Sequence, residues 1–202
     1  MDKIYSGELT EGAHAKLTFS YGFAYREDAC KDAKGADHLE RCHCLIWVEP
    51  EGPQQLTPIF SKLRDVHLCG IFTECDLDWT MFMLEGAPSL ENFHLSRHSC
   101  ELNKSEDDAE KTNLVRQASN FKHLKLKLFV MKGFEEEYKV INYIRLVMER
   151  AVCLKRIELP AISPCKKCTA ISPRFPVDEA SKHRIREQLR YGLSSSADII
   201  IG

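Results

Sequence analysis

Apolar residues recur along this chain in one short phrase. Leu63-Arg-Asp-Val66-His-Leu68, Leu90-Glu-Asn-Phe93-His-Leu95, Phe121-Lys-His-Leu124-Lys-Leu126 and Leu154-Lys-Arg-Ile157-Glu-Leu159 share the spacing apolar-x-x-apolar-x-apolar. The copies begin 27, 31 and 33 residues apart, the mark of a repeated structural unit. Two of them also share their lead-in, since Leu84-Glu-Gly-Ala87-Pro-Ser-Leu90 aligns without a gap on Met148-Glu-Arg-Ala151-Val-Cys-Leu154. In each phrase the last two apolar residues are two apart and point to one side of a strand, while their neighbours point to the other. A lone strand and helix cannot bury that apolar side, but stacked units can, which leaves the opposite strand face open. The positions expected on the open face are Asp65 and His67, Asn92 and His94, His123 and Lys125, and Arg156 and Glu158.

The rest of the pattern supplies elements around these strands. Leu17, Phe19, Tyr21 and Phe23 alternate with polar or small residues, which predicts a strand with one buried face. From about Ala24 to Cys44 the pattern dissolves into charges and reads as a long loop, and Leu56 to Lys62 reads as a short helical stretch. A dense apolar run after Asp76 predicts a buried helix, capped by an Asp and ended by Gly86 and Pro88. Residues from about 97 to 120, with the polar core Lys104-Ser-Glu-Asp-Asp-Ala-Glu-Lys111, read as a flexible insertion. The clearest helix opens at Glu135-Glu-Glu, with Val140, Ile144, Val147, Met148 and Ala151 along one face and Arg150 near its far end. After a proline-containing connection, Pro160 to Pro176, a last helix begins near Asp178, carries Ile185 and Leu189, and stops at Gly192. Asp198 to Ile201 should add a final strand. The expected fold class is therefore α/β, with parallel strands on one side and helices on the other.

Composition narrows the picture by exclusion. With 202 residues and 44% hydrophobic content, the chain can bury one sizeable core. A net charge of −2, from 28 basic and 30 acidic side chains, provides no overall field that would favour nucleic acid or a membrane as partner. No apolar leader opens the chain, and nine cysteines fit reduced thiols better than a disulfide framework, so a cytoplasmic or nuclear location is expected. Asn103-Lys-Ser has the form of a glycosylation sequon and is given no weight without secretion.

Candidate chemistry is sparse. Cys165-Lys-Lys-Cys168 could grip a metal or form a redox pair, but a structural zinc needs four ligands and no second such pair exists. Cys153 and His183 could complete a site only if the fold brought them there, and Cys42-His-Cys44 is a weaker cluster. Phosphate-cradling, dinucleotide, hydrolase-elbow and metalloprotease signatures are missing, so no catalytic residue, metal ligand or cofactor is assigned and no enzymatic activity is expected. His67 and His94 are explained by their matching repeat positions. Lys182-His-Arg-Ile-Arg186 with Arg190 reads as a solvated helix face, and Trp79 with Phe82 as core.

Several long runs resemble a known family. Over roughly residues 45 to 202, Trp47-Val-Glu-Pro-Glu-Gly-Pro-Gln-Gln-Leu-Thr-Pro-Ile-Phe60, Cys75-Asp-Leu-Asp-Trp-Thr-Met-Phe-Met-Leu-Glu-Gly-Ala-Pro-Ser-Leu90, Phe121-Lys-His, Gly133-Phe and Tyr143-Ile-Arg-Leu-Val-Met-Glu-Arg-Ala-Val152 are similar to the C-terminal leucine-rich repeat region of plant, especially grass, F-box proteins. Cys165-Lys-Lys-Cys168, Phe175-Pro and Leu189-Arg-Tyr-Gly192 resemble the FBD-like end of the same proteins. The resemblance implies a short leucine-rich repeat solenoid that holds a target protein for an SCF ubiquitin ligase. Its expected divisions are 1–44, a strand and loop forming an incomplete first repeat, 45–160, the repeats, and 161–202, an FBD-like cap. An F-box segment is not visible in the sequence, so a Skp-type linker and cullin ligase are implied partners only if an F-box lies upstream. Two alternatives remain, a small zinc- or thiol-dependent protein using Cys165 and Cys168, and a truncated gene product without independent function.

Overall fold

The computed structural model describes residues 5–10, 15–21, 60–71, 73, 76–97, 120–161 and 174–202, the first two stretches as backbone. Among the described residues seven strands form one sheet: β1 (Tyr5–Thr10), β2 (Ala15–Tyr21), β3 (Leu63–Ile71), β4 (Asn92–Arg97), β5 (Leu128–Lys132), β6 (Arg156–Leu159) and β7 (Asp198–Ile201). Their order across the sheet is their order in the chain. β1 and β2 run antiparallel, and every later neighbouring pair is parallel. β2 is the strand expected from the Leu17 alternation, whereas β1 has no such pattern to announce it.

The buried side chains fix the repeat frame. Leu63, Val66 and Leu68 are at most 1% exposed, and the same holds for Leu90, Phe93 and Leu95. In the third unit the corresponding residues are Leu126, Phe129 and Met131, each at 0%. In the fourth they are Leu154, Ile157 and Leu159, as expected, and β7 adds Ile199 and Ile201. The third phrase thus sits five residues later than the copy starting at Phe121. That copy also has apolar-x-x-apolar-x-apolar spacing, but Leu124 in its middle is 67% exposed. Burial selects the frame in which Phe129 pairs with Phe93 on one side and Ile157 on the other.

Helices cover the inner face of the sheet. A 3-10 turn, Asp78–Thr80, runs into the short α1 (Met81–Gly86), with the Asp76 carboxylate accepting from the Asp78 N–H at 3.0 Å. The second helix, α2 (Tyr138–Arg150), buries Val140, Ile144, Val147 and Met148, the stripe expected from the sequence. Its Tyr143 ring lies 6.2 Å from Phe129, whose ring in turn lies 5.9 Å from Phe93, so α2 packs on the inward side of β5 and through Phe129 is linked to β4. Glu135 to Glu137 precede the first helical turn rather than occupy it, and they bind basic side chains: Arg174 and Lys139 on Glu137, Arg184 on Glu136. The third helix, α3 (Glu179–Arg190), is capped by Asp178, which accepts from the Ser181 N–H at 2.8 Å. That bond holds the Asp178 carboxyl below the usual range. Ile185 and Leu189 are its fully buried residues, and the chain leaves through Gly192 at φ 71°.

Just before each strand the backbones join in a lateral ladder. The Glu91 N–H donates to the Arg64 carbonyl, Lys127 to Glu91, Lys155 to Lys127 and Asp198 to Lys155. At the other end of the sheet Gly133, at φ 74°, closes the turn after β5, and a Cβ built there would sit 2.2 Å from the Arg97 carbonyl oxygen. The long loop from Ala24, most of the stretch from Leu56, the insertion at 98–119 and the Cys165–Cys168 pair lie outside the described residues.

Candidate binding face

Opposite the helices, parallel pairing lines up side chains in two rows. The first row is Asp65, Asn92, Leu128, Arg156 and Asp198, and the second is His67, His94, Val130, Glu158 and Ile200. Six of the eight residues expected on this face are there. His123 and Lys125 are not, because the frame of the third unit is shifted, and Leu128 and Val130 hold those places.

Local contacts organise each half of the face. The Asn92 amide donates to the Asp65 carboxylate at 2.6 Å. The His67 and His94 rings stack at 4.1 Å with 4° between their planes, the outcome of placing two imidazoles at one register position on parallel neighbours. On the other half Arg156 lies 3.7 Å from Glu158 on its own strand. Between the halves Val130 is 4% exposed, whereas Ile200 at the end of its row is 41% exposed. The face is polar over β3 and β4, apolar at β5, and mixed over β6 and β7. Leu128, Val130, Asp198 and Ile200 escape a reading by the leucine phrase alone. Anchoring the third unit on Leu126, with Phe129 and Met131 completing the same spacing, would have found the first two.

His123 instead serves the scaffold. It holds the place of Ala87 and Ala151, three residues before the anchoring leucine, and forms a single parallel bridge with Ala151. Its Nδ1 accepts from the Leu126 N–H at 3.0 Å and from the Lys125 N–H at 3.3 Å. The ring proton is therefore on Nε2, 3.0 Å from the Ala87 carbonyl. A short apolar residue fills this place in the adjoining units, and here the imidazole ties the third unit to the Ala87 carbonyl of the unit before it. Burial, reinforced by Lys125, lowers its pKa despite the bond to Ala87.

Glu91 stands at the start of β4 between Arg64, at 3.3 Å, and Lys127, at 2.5 Å. The bond from Lys127 leads the causes that hold its carboxyl low. Among the described residues no three His, Cys, Asp or Glu side chains converge in a metal-binding group. The basic residues of α3 are partly committed: Arg184 to Glu136, and Arg186 to Glu179 and the Ile199 carbonyl.

Comparison with known proteins places the chain in a family. The family model described as At1g61320/AtMIF1, LRR domain, fits residues 38–192, so the chain belongs to this leucine-rich repeat family. No curated protein and no solved structure matches it.

Proposed function

We propose that this member of the leucine-rich repeat family is a protein-binding module, a short solenoid that captures its target on the outward face of β3 to β7. The observation that carries the reading is the alignment of ten outward side chains in two rows on consecutive parallel strands. Two facing rows of this kind suit an extended protein segment laid across the strands. Its apolar side chain would meet the half-buried Leu128, and its polar groups the Asp65–Asn92 and Arg156–Glu158 pairs. The resemblance to F-box proteins supports a finer reading, in which the captured protein is a substrate presented to a ubiquitin ligase.

Both levels can be tested on the full chain. Affinity capture from grass tissue followed by mass spectrometry should return a discrete target, lost when Asp65→Lys, Asn92→Lys and Arg156→Glu are combined. A helix-side control, Arg190→Glu, should retain it. Equal capture by the triple variant removes the strand face from consideration. Direct titration with a purified Skp-type linker tests the ligase role separately, and no binding would leave a module that captures without recruiting a ligase.

A further inference from the structure

The turns that lead into β5 and β6 form a second surface, distinct from the strand face. Residues 122–127 and 152–155 contain four lysines and no acidic residue. The two turns are joined by the bond from the Val152 N–H to the His123 carbonyl at 3.2 Å and by that from the Lys155 N–H to the Lys127 carbonyl at 2.9 Å. Burial of Leu126 and Leu154 in the core pushes their neighbours outward. Leu124 is 67% exposed and Val152 54%, and Lys122, Lys125, Lys127 and Lys155 are exposed around them. Among the described residues the acids next to this edge are Glu91, held by Arg64 and by Lys127 of the edge itself, and Glu149, 4.0 Å from Arg150.

We infer that this edge is a docking surface for an anionic membrane. Two exposed apolar side chains stand on adjoining turns, and the same two turns carry four exposed lysines, of which Lys127 pairs with Glu91 and Lys122 bonds the Glu149 carbonyl. Protein interfaces are depleted in lysine and seat their apolar anchors in matching pockets. A lipid surface requires no such pocket: it accepts apolar tips at the depth of the headgroups and draws lysines by charge alone. The overall charge of −2 conceals this local excess. Among the described residues no helix is long and apolar enough to cross a membrane, so attachment here is peripheral.

The test is co-sedimentation of the full chain with vesicles of phosphatidylcholine alone and with about 30% phosphatidylserine added. Binding is expected only to the anionic vesicles and should be lost near 0.5 M salt, where the Debye length falls to about 4 Å. Lys125→Gln with Lys155→Gln should weaken it by roughly 30-fold, at about fivefold per lysine near such a surface. Leu124→Ser with Val152→Ser should cost about tenfold or more, with little change in the salt dependence. All four side chains are exposed, and circular dichroism with urea unfolding would verify that each variant folds. The salt series on the unaltered protein stands independently of the variants. Failure to bind anionic vesicles, or equal binding to neutral ones, overturns the inference. So does retention on a poly-glutamate peptide without vesicle binding, which would assign the edge to an acidic protein segment.

Discussion

Replacing His123 tests how the third unit is held in register. The imidazole satisfies the buried Leu126 N–H and the Ala87 carbonyl and assists the Lys125 N–H, all within 3.3 Å. Leaving a buried donor or acceptor unmet costs about 1–3 kcal/mol, so His123→Ala should lose about 2–5 kcal/mol once two are stranded beside a small void. That is a large share of the roughly 5–15 kcal/mol by which domains are stable. At a urea slope of about 2 kcal/mol/M, the unfolding midpoint should fall by about 1–2.5 M. A pH dependence follows as well. The folded pKa is lowered, so on acidification the unfolded chain takes up the proton first, and stability falls as pH drops below the unfolded value near 6.5. The loss should be visible as a lower urea midpoint at pH 5 than at pH 7. His123→Gln abolishes this component while the other histidines keep theirs. Urea curves at pH 7 and pH 5 therefore isolate it as the difference between wild type and variant. Equal acid sensitivity in the two proteins would refute the assigned tautomer and the burial argument together.

Other outcomes follow from the same geometry. Leu126→Ala should cost about 2–5 kcal/mol in urea unfolding and Leu124→Ala under about 0.5 kcal/mol, and the reverse order would restore the earlier frame. Gly133→Ala places a Cβ against the Arg97 carbonyl at positive φ, so a loss of about 2–4 kcal/mol, read as a lower melting temperature, is expected. Thr80 donates its one hydroxyl proton to the Leu77 carbonyl at 2.7 Å, so the Tyr143 hydroxyl at 2.5 Å must donate to Thr80. Tyr143→Phe should accordingly cost about 1 kcal/mol and Thr80→Val more, because Thr80→Val strands both the Leu77 carbonyl and the Tyr143 proton. Equal losses for the two would reverse the donor assignment.

Periodicity conveyed most of the sheet because the strands bury one face with little compromise. Val66 and Leu68, Phe93 and Leu95, and Ile157 and Leu159 are buried, and the polar partners between them are not. The helix stripe from Val140 to Met148 was equally plain, since four-residue spacing over three turns has few rival readings. The third unit failed for a physical reason: Phe121 to Leu126 and Leu126 to Met131 satisfy the same spacing, and only packing distinguishes a projecting Leu124 from a core Leu126. That one slip placed His123 and Lys125 on the face and omitted Leu128 and Val130. β1 was invisible because its hydrogen bonds to β2 are backbone bonds, which Tyr5 to Thr10 make without an apolar alternation. The stacking of His67 on His94 was legible as matching positions, though not as a ring contact, since that depends on the side-chain torsions.

A sheet whose strand order is its chain order has a consequence for how damage spreads. Each lateral bond of the ladder from Arg64 through Glu91, Lys127 and Lys155 to Asp198 joins one unit only to the next, and no strand reaches past its neighbour. Opening at β7 therefore removes the support of β6 and leaves the His67–His94 pair untouched, so failure propagates inward from an end as fraying does in a rope. Amide protection should fade toward the ends of the sheet and be deepest at Phe93 and Phe129, where a unit is clamped on both sides.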